Sequence, residues 1–303
     1  LVRFFLEERC ELLLIEQHGD AAGSTNASLW RFAKRAKRLV LHSAPRSAAL
    51  LAVLRANART LQAFHAACEV DAEVVAALSD CPNLTALSLR YVKDSTALSV
   101  SDAVLRLAAV AGRLRVLQCE QMELAALINR ALASLEQLVF PSLPDCSVLR
   151  RPNIGQLRVL RLRKLAIPLH QLITLVSALP LLSRLHTLEL HFDTVFYTLN
   201  PQRIDFRALP DFSAPLLFPA LRELSINYPL CYLPRLAAPL LSHLRAPVTP
   251  KDLEELVGGC PSLEVCDRDS SVVPSLPEER TACPVYLSSI LAAAGESWGK
   301  TLR

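Results

Sequence analysis

The sequence predicts an α/β solenoid in which short parallel strands and helical returns alternate along the chain. Three observations carry that expectation. A strand pattern, Leu-x-x-Leu-x-Leu, recurs. Its copies start at fairly even intervals. The segments between copies place apolar residues at helical spacing.

The pattern is complete at Leu84-x-x-Leu87-x-Leu89, Leu135-x-x-Leu138-x-Phe140, Leu157-x-x-Leu160-x-Leu162, Leu185-x-x-Leu188-x-Leu190 and Leu221-x-x-Leu224-x-Ile226. Weaker copies begin at Ala36, Leu61, Leu114, Leu241 and Leu263. Successive copies start 25, 23, 30, 21, 22, 28, 36, 20 and 22 residues apart. Most of these intervals are those of a leucine-rich repeat, whose units bury their leucines only by stacking on neighbours. The expected shape is a horseshoe, with a parallel sheet on the concave side and helices on the convex side.

The elements follow in order. Residues 1–20 are expected to form a helix with Phe4, Phe5, Leu12, Leu13 and Ile15 on its apolar side. GDAAGSTNAS then reads as a loop, and SLWRFAKRAKR as a second helix capped by Asn26 or Ser28. Within it Arg31, Lys34, Arg35 and Arg38 fall on one helical face. Residues 1–35 are thus a helical cap, and 36–269 the solenoid.

Among the returns, SVSDAVLRLAAVAG puts Val104, Leu107, Ala108 and Ala111 on one face, with Ser101 as the expected N-cap. LHQLITLVSALP does the same with Leu169, Leu172, Ile173, Val176 and Leu179, and Pro180 should end that helix. In VTPKDLEELVGGCP, Thr249 caps, Pro250 takes the first helical position, and Gly258 with Gly259 closes. The prolines of PSLPDCSVLRRPNIGQ predict an irregular return.

The longest interruption, 191–219, holds Phe192, Phe196, Tyr197, Phe206, Phe212 and Phe218. Those aromatics either pack back on the solenoid flank or form a partner-binding loop. Residues 270–303 read as a loop and a helix that start a further repeat at Leu302. The sole methionine is Met122, so the chain is read as a fragment.

Composition narrows the function. Hydrophobic residues make up 51% and charged ones 20%, too apolar for a disordered chain. A net charge of +4 is too small to point to nucleic acid. No apolar run suits a membrane span or a signal peptide. The 9 cysteines include no Cys-x-x-Cys pair, which fits small buried thiols in a reducing compartment, cytoplasmic or nuclear. No metal-ligand or cofactor motif is present, and adjacent pairs such as Glu254/Glu255 do not converge on a substrate. The chain is read as a non-enzyme.

At Asp80–Leu89 (DCPNLTALSL) and Gly258–Cys266 (GGCPSLEVC) the chain resembles the cysteine-containing class of leucine-rich repeat, whose units open with Cys-Pro-x-Leu. That class is common in the substrate-recognition part of F-box proteins, the adaptors of cullin-type ubiquitin ligases. The ribonuclease-inhibitor class is similar in its helical returns. The resemblance implies a protein-binding scaffold, possible ubiquitin-ligase adaptor contacts and no cofactor. A small-GTPase or cytoskeletal regulator is the alternative. Those families place Asn or Cys eight residues after the first leucine. Here Val92, Met122, Leu143, Leu165, Asp193, Pro229, Thr249 and Ser271 stand there. The Leu-Pro-x-Glu opening of an F-box is absent from residues 1–38.

Alternation along each strand sends the residues between the leucines to the concave face. The middle positions are Ser88, Gln118, Val139, Arg161, Glu189, Ser225, Arg245 and Asp267. Arg90, Glu120, Arg163, His191 and Asn227 follow the last strand leucine. Together with Arg158, this face is expected to bind a protein partner, through Arg90, Gln118, Arg158, Arg161, Arg163, Glu189, His191, Asn227 and Arg245. Arg161 and Arg163 would suit an acidic or phosphorylated segment, since guanidinium forks match carboxylate and phosphate.

Overall fold

The computed structural model describes residues 12–15, 35–43, 47–193, 216–227, 236–246 and 258–267. Strands β1 (Leu12–Ile15), β2 (Arg38–Leu41), β3 (Ala63–Asp71), β4 (Ala86–Lys93), β5 (Val116–Cys119), β6 (Gln137–Phe140), β7 (Val159–Leu165) and β8 (Thr187–Phe192) come first. β9 (Leu216–Leu217), β10 (Glu223–Ile226), β11 (Leu236–Ala237), β12 (His243–Arg245) and β13 (Val265–Asp267) follow. Eleven of them form one sheet in chain order, and β9 pairs with β11 in a second sheet of 2 strands. Every pairing is parallel.

The leucine pattern sets the register. Leu39, Phe64, Leu87, Leu117, Leu138, Leu160, Leu188, Leu224 and Leu244 stand side by side in one row. None of the nine is more than 3% exposed. The residues that open each copy, from Ala36 to Leu263, are buried as well. A one-residue slip would turn a whole row to solvent, so the burial of one face determines the pairing.

The strand starts are joined by a backbone device that no side-chain motif announces. The Gln62 carbonyl accepts from both Thr85 N–H and Ala86 N–H, at 2.8 and 3.0 Å. The carbonyls of Thr85, Arg115, Glu136, Arg158, His186 and Arg222 each accept the corresponding pair from the next strand. Each turn into a strand is thereby tied to its predecessor by backbone groups, and the Thr85 and Ser242 hydroxyls add bonds of 3.2 Å to the Gln62 and Arg222 carbonyls.

The far strand ends use side-chain amides where they are available. Gln121 donates to the Val92 carbonyl at 2.8 Å and accepts from its N–H at 2.7 Å. Asn227 does the same to Phe192, at 2.9 and 2.6 Å. Each amide satisfies both hydrogen-bonding groups of one residue on a neighbouring strand.

The returns vary in kind. Helix α1 (Ser47–Asn57) buries Leu50, Val53, Leu54 and Asn57. α2 (Ala72–Ala77) runs into a 3-10 turn at Leu78–Asp80. α3 (Val100–Ala111) starts at Ser99, whose hydroxyl accepts from Asp102 N–H at 3.1 Å and donates to its carboxylate at 2.7 Å. Ser99 therefore replaces Ser101 as the cap, because the acidic partner three residues on completes the pair. α4 (Ala126–Ala131) follows a 3-10 segment at Met122–Ala125.

The proline-rich return after β6 is irregular as expected, with 3-10 segments at Cys146–Arg150 and Pro152–Gln156. α5 (Leu169–Ala178) ends just before Pro180, as expected, and a 3-10 turn over Leu179–Leu181 closes it. Leu172, Leu175, Val176, Ala178 and Leu179 are buried there, while Ile173 lies half out.

Other expectations change. Leu12–Ile15 are a strand rather than part of a helix, paired in parallel with β2. A run of four apolar residues has no period of its own, and pairing with an existing sheet edge decides it. Arg38 opens β2 and Arg35–Lys37 are not helical, so Arg38 does not share a helix face with Arg35. The rest of the expected N-terminal helices, most of the 249–258 helix, the centre of the 191–219 segment and the tail 270–303 lie outside the described residues. At the two ends of that segment, Phe192 and Phe218 are 5% and 3% exposed and belong to the common core.

Among the described residues of the later returns, the two-residue strands β9 and β11 pair in parallel. Phe218 N–H donates to Ala237 O at 2.8 Å, and Ala238 N–H to Gly259 O at 2.9 Å, stitching three returns together. At Gly259 an added Cβ would run into the Leu236 carbonyl oxygen, so only glycine allows the approach. One apolar cluster runs from Ala36 to Leu263 between the sheet and the returns.

Candidate interaction face

The sheet face opposite the leucines carries one continuous in-register row: Ser88, Gln118, Val139, Arg161, Glu189, Ser225, Arg245 and Asp267. These are the middle positions read from the sequence. Period-two alternation is a strong constraint once the leucines are buried. Val40 and His65 extend the row toward the chain start.

The row is not uniformly accessible. Gln118, Arg161, Glu189 and Ser225 are half-buried and Arg245 is exposed. Val139 is only 3% exposed between Gln118 and Arg161. Long flanking side chains that lay their stems across a small neighbour would produce that shielding.

Charge concentrates around Glu189. Its carboxylate meets Arg161 Nε at 3.3 Å, His191 Nδ1 at 3.5 Å and Arg163 Nε at 3.9 Å. His191 Nε2 also lies 3.1 Å from Ser225 Oγ. The Glu189 side chain is 18% exposed, less than any of its partners. Arg161 Nε is shielded from solvent and makes no hydrogen bond, so its tie to Glu189 is a charge contact without hydrogen-bond alignment. Arg161 and Arg163 are thus already engaged, and an incoming carboxylate would compete with Glu189 for them. Strand adjacency, not sequence proximity, creates this: β7 and β8 pair so that Arg161 faces Glu189 directly.

The remaining expected residues divide. Arg90 pairs with Glu120 at 3.6 Å with both side chains well exposed, a contact that contributes little to stability. Both polar atoms of the Asn227 amide are bonded to Phe192, which makes Asn227 a brace between strands. Arg158 does not join the central row. It stands at the strand-start edge, where its carbonyl accepts from His186 N–H and Thr187 N–H.

Sequence reading missed the company Arg158 keeps. Arg115, Arg158, His186 and Arg222 all follow the opening leucine of a repeat. Aligning the repeats on that leucine would have shown a shared edge.

The five cysteines whose side chains are described are packing residues. Cys81, Cys119, Cys146 and Cys260 are buried, Cys68 is half-buried, and all five are free thiols. Burial pushes the Cys81 thiol up to about 11 and the Cys146 thiol up to about 12, and raises Cys119 too. A thiol below its pKa holds little thiolate, the form that reacts. Alkylation of the folded protein at pH 8, read peptide by peptide, should therefore label Cys68 well before Cys81, Cys119 or Cys146. Equal labelling of the four in the native state would contradict this placement.

Among the described residues no cluster of His, Cys, Asp and Glu could hold a metal ion, and no helix is long and apolar enough to cross a membrane. No known family profile matches the sequence, and no curated protein matches it. Among solved structures the chain is similar to the LRR protein LIC12759 of Leptospira interrogans, at 14% identity and a TM-score of 0.31. That match covers 79% of this chain and 80% of the other.

Proposed function

We propose that the protein is a non-enzymatic recognition scaffold that binds a protein partner on the open sheet face. The observation that supports this is the in-register row from His65 to Arg245. Neighbouring strands are ~4.8 Å apart, so such a row extends for roughly 35 Å, the scale of a protein surface rather than of a small-molecule pocket. Its side chains are mixed: polar and uncharged at Ser88 and Gln118, charged at Arg161 and Glu189. That mixture favours shape and hydrogen bonding in the first half and charge matching in the second.

The narrower reading, a substrate receptor of a cullin-type ubiquitin ligase, rests on the two Cys-Pro-x-Leu openings. A small-GTPase or cytoskeletal regulator is the second reading. Affinity purification of the tagged protein with mass spectrometry separates them. Partners recovered with the wild type should be lost with Ser88→Arg/Gln118→Arg and kept with Leu105→Glu, which alters an exposed residue on α3. An unchanged partner set in the face variant would refute recognition by this face. Cullin-complex subunits among the partners would support the receptor reading, and their absence would count against it. Stimulation of a GTPase, abolished by changing Arg90 and Arg161, would support the other.

A further inference from the structure

The strand-start edge of the sheet carries a basic patch that the Glu189 cluster does not neutralise. From β5 to β10 its charged residues are Arg113, Arg115, Glu136, Arg158, Arg184, His186, Arg222 and Glu223. The two acids are already engaged: Glu136 meets Arg115 Nη1 at 3.7 Å, and Glu223 accepts from the Thr187 hydroxyl at 3.1 Å. Arg184 reaches back to Gln156 on the preceding turn, which brings it beside the Arg158 strand start. Arg158, Arg184 and Arg222 are all exposed and make no ion pair among the described residues.

The geometry is held by backbone. The Arg158 carbonyl accepts from His186 and Thr187, and the His186 carbonyl accepts from Arg222 and Glu223. Three successive strands therefore present Arg158, His186 and Arg222 at equivalent points. With ~4.8 Å between strands, Arg158 and Arg222 start about 10 Å apart. The opposite, strand-end edge is acidic over β3–β5, at Glu69, Asp71, Glu73, Glu120 and Glu123, with Lys93 and Arg90 paired against Glu69 and Glu120. That acidic stretch does not extend to β7, whose end carries exposed Arg163 and Lys164.

From this geometry we infer that the Arg158–Arg184–His186–Arg222 edge is a docking site for an acidic, extended polypeptide segment. In an extended polyproline II segment, with three residues per turn and a rise of about 3.1 Å, residues three apart lie on one side about 9 Å apart, so carboxylates at that spacing meet Arg158 and Arg222 together. Guanidinium forks hold carboxylates through paired hydrogen bonds. A nucleic-acid strand fits less well. Apart from the single imidazole of His186 itself, the positions beside the patch, Val116, Gln137, Val159 and Thr187, offer no ring for successive bases to stack on.

The inference deepens the protein-recognition reading by naming the chemistry of one partner segment, and it fails separately from that reading because the site lies outside the central row. The test is fluorescence anisotropy with a labelled poly-glutamate peptide at low salt. Wild type should bind, and Arg158→Glu/Arg222→Glu should weaken binding about tenfold or more. Arg55→Glu/Arg106→Glu, the same charge change on exposed helical positions of α1 and α3, should leave it unchanged. The Ser88→Arg/Gln118→Arg variant should bind poly-glutamate at least as well as wild type, whatever becomes of its central-face partners. No binding by wild type, or equal loss in both charge-reversal pairs, would overturn the site. Oligo-dT binding as tightly as poly-glutamate, with the same loss at Arg158 and Arg222, would overturn the choice of a polypeptide. Unchanged circular dichroism in each variant shows that loss of binding is not loss of fold.

Discussion

Leu160→Ala is expected to destabilise the protein by about 2–5 kcal/mol, the range for truncating a fully buried leucine. Leu160 is 0% exposed and stands in register between Leu138 and Leu188, themselves 0% and 2% exposed. The cost has two parts: lost burial of the removed carbons, and a cavity the rigid sheet cannot close. The Cα positions on both sides are held by ladder hydrogen bonds, so relaxation into the gap is limited. In a stacked array each repeat is stabilised mainly by its two neighbours, so a defect in the middle weakens both interfaces. Chemical denaturation measures it, with Leu105→Ala as the comparison. Leu105 is 71% exposed on α3, and its truncation should change stability by less than about 0.5 kcal/mol. A loss below about 1 kcal/mol at Leu160 would mean that the leucine row is not the shared core described here.

Asn57→Leu should cost about 1–3 kcal/mol even though it adds an apolar side chain to an apolar core. Asn57 is 1% exposed at the end of α1. Its Oδ1 accepts from Ala36 N–H at 2.8 Å, and its Nδ2 donates to Val53 O at 2.9 Å. Leucine has the same number and branching of side-chain heavy atoms but a larger volume, so the effect combines overpacking with the stranded Ala36 N–H, and exchange at Ala36 isolates the second part. An unpaired buried donor carries its full desolvation cost, which the leucine cannot offset. The loss should be read by denaturation together with amide hydrogen exchange at Ala36, which should speed up. An unchanged exchange rate at Ala36 with normal stability would show that the Asn57 amide does not join α1 to the start of β2.

These residues show how far the amino-acid order could be read. Leu160 was legible, because a period of two within a strand and intervals in the twenties between strands leave few other burial patterns. Asn57 was not, because a lone asparagine at a helix end looks like any turn residue until the chain 21 residues earlier folds against it. Gln121 and Asn227 were hidden for the same reason. Each amide braces a strand 29 or 35 residues away. The expected asparagine position was vacant, yet part of its work is done from other positions. The replacement of Ser101 by Ser99 as a cap, and the strand at Leu12–Ile15, are local competitions that a neighbouring carboxylate and a neighbouring strand decided.

The candidate face divides the same way. Its membership followed from alternation, so Gln118, Arg161, Glu189 and Arg245 could be named in advance. Its electrostatics could not. Arg161 and Glu189 are 28 residues apart in sequence and meet only because β7 and β8 pair in that register.

By itself, the sequence determined the repeat, the direction in which each strand side chain points, and which leucines are enclosed. Those properties depend on local alternation and on the exclusion of apolar surface from water, and both act residue by residue. Only the tertiary structure decided which charges neutralise one another and which remain outward. Coulomb interactions depend on distance in space, and it is strand pairing that gathers Arg158, His186 and Arg222 on one edge while holding Arg161 and Arg163 against Glu189.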